Sequence, residues 1–326
     1  MSRIILHVGT HKTATTTVQD SMALNRDRLA RRGIVFPAIG PSAGHHALAT
    51  RWIALPERYR DSRPALESWQ ALADRYAGGR DTVFLSSEEF SRNLPTPVDM
   101  AELARLVSGF SRRTVVCTLR NQLAYLQSIY LQVTKDARGP TVEAFLAQAL
   151  RSDHATGVML DYGALYDRLL AAFAPDEIVF VSYEAAVRAP GGIVAHLLGR
   201  VGLAGAADDF AALPAASNVS PEPLALWAAN QIEAPAPGRL VALARDALAE
   251  AFGADARTTI YSRPEVAAVA AHFAPRNAAF EARYARVDPG FALAPLALSP
   301  DLVHRGQLSK APFWIALARR LHAGRG

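Results

Sequence analysis

The sequence predicts an α/β fold: a mostly parallel sheet of about five strands, helices on both of its faces, and a helical C-terminal part. Short apolar runs alternate with segments of helical composition as far as about Leu203. Beyond that point the strand signals stop, and the chain becomes Ala-rich, Pro-punctuated helix up to Phe313-Trp314-Ile315-Ala316-Leu317. No internal repeat and no long low-complexity linker interrupts it. The expectation is therefore one domain over residues 1–326, with a core over 3–203 and a helical extension over 204–326.

The elements follow in order. Residues 3–8 form an apolar run ending at Gly9, the pattern of a buried parallel strand. Thr15 to Arg31 carries Val18, Met22, Leu24 and Leu29 among polar residues, which suits a helix closing at Gly33. A brief strand, Ile34-Val35-Phe36, stops at Pro37, and a helical region follows to about Gly78. Thr82-Val83-Phe84-Leu85 is a clear strand that delivers Ser86-Ser87-Glu88-Glu89 at its C-terminal end. A helix over 97–109 leads to a strand over 114–119, and another helix leaves it near Asn121. A helix over 162–173 ends near Pro175 and feeds a strand over 177–181.

Composition narrows the function only a little. The 326 residues are half hydrophobic and 20% charged, an ordinary globular balance that argues against wholesale disorder. A formal charge of +5, with a pI near 9.5, is mild and scattered, so it makes a weak case for an anionic partner. Cys117 is the sole cysteine and lies in an apolar run, which excludes an intramolecular disulfide and a cysteine-based zinc site. Met1 to His7 runs into a Gly/Thr-rich turn without a signal-like apolar region, and no stretch of 18 apolar residues appears. A cytoplasmic protein without a transmembrane segment is expected.

In such a sheet, ligands bind outside the carboxyl ends of the strands. The first strand ends in Gly9-Thr10-His11-Lys12-Thr13-Ala14-Thr15-Thr16-Thr17. A strand, a turn of small residues and a helix start gather backbone N–H groups and a helix N-terminus around one point, an arrangement that binds phosphate. It is not a Walker A loop, because Lys12 lies within the turn rather than just before the last Ser/Thr. Read alone, the segment also fits a plain helix start capped by Thr15. Leu119-Arg120-Asn121 places a fixed cation at another strand end, with Ser128 eight positions later. An arginine with a hydroxyl partner suits a second phosphate group, although Arg120 seen in isolation would more often than not be a surface or salt-bridged arginine.

With both features in this order and spacing, the chain resembles the sulfotransferase family. His11-Lys12-Thr13-Ala14-Thr15-Thr16 resembles the family's loop for the 5′-phosphosulfate, with the Val8-Gly9-Thr10-His11-Lys12-Thr13 lead-in common in bacterial members. Arg120 through Ser128 resembles its 3′-phosphate segment. Tyr183-Glu184, Pro190 and Leu197-Leu198-Gly199-Arg200-Val201-Gly202-Leu203 resemble its Tyr-Glu segment and closing Gly-Leu helix. The resemblance covers about residues 3–203 and departs at Ala14, where the family usually has glycine. A Cβ there could crowd the phosphate or disfavour a positive φ.

The resemblance implies a P-loop-NTPase-like sulfotransferase fold and 3′-phosphoadenosine 5′-phosphosulfate (PAPS) as donor. It further implies 3′-phosphoadenosine 5′-phosphate (PAP) as product, a hydroxyl or amine acceptor, and no metal. Donor binding then falls to His11, Lys12, Thr13, Ala14, Thr15, Thr16, Arg120 and Ser128, with Lys12 assigned to the bridging oxygen. The acceptor must lose a proton, and a partly desolvated group at a strand end would take it. Glu88 is the first choice and Glu89 the second, with His11, His45 and His46 behind them. Either glutamate could instead be an acidic residue of a helix's first turn.

His45-His46 and Lys135-Asp136-Ala137-Arg138 read as solvated loop and helix-end residues. The basic amphipathic tail Trp314–His322 reads first as a helix packed on the domain, and second as a contact with an anionic membrane surface. The acceptor, a carbohydrate, glycolipid, lipid or small molecule, is expected to be held by variable loops. Two rival readings remain: a P-loop nucleotide kinase, which needs magnesium and a triphosphate, and a non-catalytic anion- or nucleic-acid-binding protein. The second calls for a basic patch with interleaved aromatics, which the sequence lacks, so no nucleic-acid partner is expected.

Overall fold

The computed structural model describes residues 1–213, 221–309 and 311–323. Contacts divide the chain into two compact units. The first comprises Met1–Asn121, Thr156–Ala215 and Arg276–Ala294, and the second Gln122–Ala155, Ala216–Pro275 and Pro295–Gly326. Segments from both sides of residue 203 therefore enter each unit.

The first unit is built on five parallel strands: β1 (Arg3–His7), β2 (Ile34–Val35), β3 (Thr82–Ser86), β4 (Arg112–Leu119) and β5 (Ile178–Ser182). Their order across the sheet is β2-β3-β1-β4-β5. Register sets Ile5 between Phe84 and Thr114, so β1 is central; β1 and β3 end side by side at His7 and Ser86, and β4 runs on from Val116, the partner of His7, to Leu119. The strand period of two sorts the apolar residues into two cores, one on each face. Ile4, Leu6, Val83, Leu85, Val115, Cys117 and Phe180 pack on one side, with Trp69, Leu103, Leu165 and Leu169 from the covering helices. Ile5, Phe84, Val116 and Val181 pack on the other, against Val18, Met22, Leu29 and Leu197. Cys117 is fully buried, and burial raises its thiol pKa, which suits an inert core residue.

Three helix expectations are corrected, each for a local reason. The helix expected from Thr15 to Arg31 breaks into α1 (Thr15–Leu24) and a short helix, Arg26–Ala30. Asn25 lies at the break: its Nδ2 donates to Ser21 C=O at 2.9 Å, and its Oδ1 accepts from Ala211 N–H at 2.7 Å. A side chain that bonds backbone in this way competes with helix continuation. The region to Gly78 is not continuous helix either; it holds His46–Ala49, a single 3₁₀ turn at Glu57–Tyr59, and Ala65–Tyr76. Pro56 and Pro64 set the starts of the last two. The helix expected over 97–109 is Met100–Leu106, started by Asp99, whose Oδ1 accepts from Glu102 N–H at 2.8 Å.

The second unit is mostly helical, with a core of Leu224, Ala228, Leu240, Ala244, Leu248, Phe313 and Leu317. These come from helices Pro223–Ile232, Gly238–Phe252 and Ala311–Ala323. The tail helix thus packs on its unit through Phe313 and Leu317, and Arg320 pairs with Glu250. The expectation of no strand beyond Leu203 is corrected: Thr258–Thr259 pairs in parallel with Val303–His304. Two-residue strands carry no alternation that a sequence could reveal. Among the described residues, no helix is long and apolar enough to cross a membrane.

Candidate active site

The loop after β1 is held in a strained form. Lys12 and Ala14 both take left-handed backbone conformations, with φ of 62° and 58°. Each costs an L-residue roughly 1–2 kcal/mol, so the surroundings must impose the shape. Thr10 is anchored to β4, its N–H and Oγ1 both donating to Thr118 C=O at 3.2 and 3.0 Å. Thr13 Oγ1 donates to Thr10 C=O at 2.5 Å and closes the turn from inside. Gly9, at φ 28°, has to be glycine, because a Cβ would lie 2.7 Å from Thr15 Cγ2.

This loop delivers an uncapped helix. The residue before α1 is Ala14, which has no side-chain acceptor, and the first helical bond runs from Val18 N–H to Ala14 C=O. The sequence alternative in which Thr15 caps the helix is corrected: Thr15 is the first helical residue and is buried. The opening N–H groups of α1 are thus available to an anion, with the positive end of the helix dipole behind them. Thr16 is exposed beside them, whereas the Thr13 hydroxyl is used within the turn.

Arg120 reaches this loop from the end of β4. Its Nη1 donates to Lys12 C=O at 2.8 Å, and its guanidinium lies 4.7 Å from the centre of the Tyr183 ring. Arg120 Nε is buried and has no protein acceptor. The neighbouring backbone is held as well: Tyr162 OH donates to Arg120 C=O, and Asn121 N–H donates to Glu184 Oε1 at 3.0 Å. Ser128 lies on the helix Gln122–Lys135 of the second unit, half-buried, and Lys135 to Arg138 follow it exposed.

The two glutamates after β3 have different surroundings. Glu89 is buried and clasped by Arg92, with Nε to Oε2 at 2.5 Å and Nη2 to Oε1 at 3.2 Å. Both of its oxygens are therefore committed to one guanidinium. Glu88 is half-buried and accepts from Gln19 Nε2 at 3.0 Å through one oxygen. Burial pushes the Glu88 carboxyl up, but the charges of His46 and His11 and the Gln19 contact outweigh it, leaving it below the ordinary carboxylate value. His11 Nε2 sits 3.3 Å from Arg92 Nη2 and 3.9 Å from Glu89 Oε1. Burial lowers the His11 pKa more than the two carboxylates raise it.

The histidines expected to be solvated are buried, a second correction. His45 is fully buried and has both ring nitrogens engaged: Nδ1 accepts from Ser86 N–H and Nε2 donates to Pro37 C=O, each at 2.9 Å. It is a structural, neutral histidine and not a spare base, with burial depressing its pKa to about 4. His46 Nδ1 lies 2.9 Å from Ser87 Oγ, and its ring stacks edge-on to Tyr59. His7 is also fully buried, its Nδ1 2.8 Å from Ser86 Oγ, and burial takes its pKa to about 4.

The first unit therefore gathers His11 to Thr16, Glu88, Glu89 and Arg120 around the ends of β1, β3 and β4. Sequence reading missed His7, Gln19, Ser86 and Arg92. Signals for them existed: Gln19 is one helical turn after Thr15, and Arg92 is three residues after Glu89.

No protein-family model and no curated protein matches the sequence. Among solved structures, the chain is similar to the crystal structure of a sulfotransferase from Alicyclobacillus acidocaldarius. The two are 17% identical over 86% of this chain and 94% of that one, with a TM-score of 0.47.

Two outcomes follow from the buried groups. His7 and His45 have folded pKa values depressed from 6.5 to about 4, so the unfolded chain binds their protons first as pH falls. Their contribution is intact above about pH 6.5 and is lost progressively down to about pH 4. Urea unfolding should show stability lower at pH 5 than at pH 7 by on the order of 2–4 kcal/mol. His45→Gln should flatten that dependence, and an unchanged slope would count against the neutral-histidine assignment. Ala14→Gly should raise the unfolding free energy by about 0.5–1 kcal/mol, because glycine adopts the left-handed conformation freely. A loss of stability on that substitution would contradict the strained loop.

Proposed function

We propose that the protein is a sulfotransferase that takes PAPS as donor and a hydroxyl or amine as acceptor. The observation that carries this reading is the left-handed turn over Lys12–Ala14, which opens an uncapped helix and is braced by Arg120. The cradle is formed by residues of the first unit, His11 to Thr16 and Arg120, that resemble the family's donor-binding segments. A phosphosulfate fits its chemistry: N–H donors of the loop and α1, the Thr16 hydroxyl, and the Lys12 ammonium. The unsatisfied, buried Arg120 Nε is a further donor suited to a phosphate oxygen.

The donor supplies an activated sulfuryl group, and the protein residues orient it and move one proton. In the transfer, the acceptor oxygen or nitrogen bonds to sulfur as the sulfur–oxygen bond to the 5′-phosphate breaks. Lys12 and the loop amides balance charge growing on the leaving phosphate. Glu88 takes the acceptor's proton; its carboxylate is held ionised and, among the described residues, meets no cationic side chain in a hydrogen bond, Gln19 holding its Oε2. Glu89 is less suited to this task, because Arg92 occupies both of its oxygens. Carbohydrate, glycolipid and small-metabolite acceptors all present such a group.

Calorimetric titration tests the donor class. The wild type should bind PAP about 30-fold or more tightly than adenosine 5′-phosphate, the worth of a desolvated charge-assisted contact to the 3′-phosphate. Arg120→Ala should remove most of that difference. Equal binding of the two nucleotides, or a preference for adenosine 5′-triphosphate with magnesium, would overturn the reading. Glu88→Gln should slow donor turnover by about 10²–10⁴ with PAP affinity unchanged, whereas unaltered turnover would remove Glu88 from the base role.

A further inference from the structure

We infer that Gln19 is the positioning residue of this site: its side-chain amide holds the Glu88 carboxylate, and Gly44 supplies the space in which that amide lies. The inference deepens the reading of Glu88 as base and rests on it.

Gln19 is a polar residue almost fully buried on α1, 3% exposed, where a packed helix would ordinarily carry an apolar side chain. Its Nε2 lies 3.0 Å from Glu88 Oε2, 3.3 Å from Ser86 Oγ and 3.4 Å from Ser86 C=O. A primary amide has two N–H donors, so one serves the carboxylate and the other is shared by Ser86. The orientation of the amide follows from the same contacts. Its oxygen turned toward Glu88 would set two acceptors against each other.

The network continues to a defined end. Ser86 Oγ accepts from Gln19, leaving its own proton for Nδ1 of the neutral His7 at 2.8 Å. That assignment puts the His7 ring proton on Nε2, a buried atom with no partner. Ser86 also anchors the segment that confines the amide, because its N–H donates to His45 Nδ1 and its C=O accepts from His45 N–H at 2.8 Å. Gly44 precedes His45, and a Cβ built on it would lie 2.5, 2.6 and 2.8 Å from Gln19 Cδ, Oε1 and Nε2. Only a glycine backbone leaves room for the carboxamide at this spot.

The chemical consequence lies in which oxygen is held. Gln19 fixes Oε2 with a donor that does not ionise, so it orients the base without competing for the proton. Oε1, the oxygen that Gln19 does not hold, is the one turned to that proton in this inference. Gln19 also sits one helical turn beyond Thr15, so a single helix carries both the phosphate-facing N–H groups and the arm that aims the base. The separation between leaving group and base is thereby set by one rigid element.

Glu88 faces the charges or potential charges of His46, His11 and His7, with the Glu89–Arg92 pair beside His11. Infrared titration of the Glu88 carboxyl, assigned by difference against Glu88→Gln, reads its environment without requiring an acceptor. Gln19→Met keeps the length of the side chain and removes the donor, so Glu88 should protonate at higher pH than in wild type. Gly44→Ala should shift the titration in the same direction. Release of PAP from PAPS with water as acceptor gives the second readout. Gln19→Met should lower that rate about 10- to 100-fold, the worth of one hydrogen bond to a charged group. In a Glu88→Gln background it should lower it no further. PAP affinity, measured by calorimetry, should stay within about twofold, since the donor cradle is untouched. An unmoved titration, or an equal loss of rate in both backgrounds, overturns the inference. A titration that moves while Glu88→Gln turns over like wild type overturns instead the base assignment on which it rests.

Discussion

The hydrogen bond from Arg120 to the Lys12 carbonyl joins the end of β4 to the loop that follows β1, and the cradle depends on it. Two left-handed residues within three positions would not persist in an isolated peptide. Here Thr10 is tied to Thr118, Thr13 closes back on Thr10, and Arg120 holds the carbonyl between them. Arg120 is in turn oriented by the Tyr183 ring, and its own carbonyl is held by Tyr162. The ends of β1 and β4, with the Tyr183 ring that follows β5 against Arg120, thus impose one constraint on the seven-residue connection from β1 to α1. The result is a helix start whose N–H groups face outward without a cap.

A second layer of order comes from neutral polar groups inside the sheet edge. His7, His45, Ser86 and Gln19 are all nearly or fully buried. Uncharged histidines can donate and accept at once, so they link backbone and side chains without bringing ions into the interior. Charge is kept to the outer side, where Glu89 is neutralised by Arg92 and Glu88 stands between His46 and His11. Neighbouring carboxylates thereby acquire different characters: Glu89 is locked to Arg92, which in turn bonds the Thr156 carbonyl, whereas Glu88 is held by the neutral amide of Gln19.

Much of this was legible in the chain. Apolar runs bounded by turns located all five strands of the sheet, because a parallel strand buried on both faces must be continuously apolar. The Gly9–Thr16 segment and Arg120 stood out only in combination, since each read alone also fits a plain helix start or a salt-bridged arginine. Helix extents were less legible. Asn25 breaks a helix through bonds to Ala211, far away in sequence, and no local pattern reports such a partner. The pairing of Thr258–Thr259 with Val303–His304 escaped for the same reason.

What the sequence determined by itself was the α/β class, the strand positions and the residue types gathered at the strand ends, since these follow from local periodicity and side-chain chemistry. Only the tertiary structure distinguished the surroundings of the two glutamates, because Glu88 and Glu89 are adjacent and chemically alike. Their difference lies in Gln19, 69 residues from Glu88, and in the side of the turn that Arg92 occupies. It also decided that His45 is a strut and that Gly44 is a space for an amide. Those roles depend on which groups meet across the sheet edge, and a contact between distant residues leaves no mark on the local composition of either.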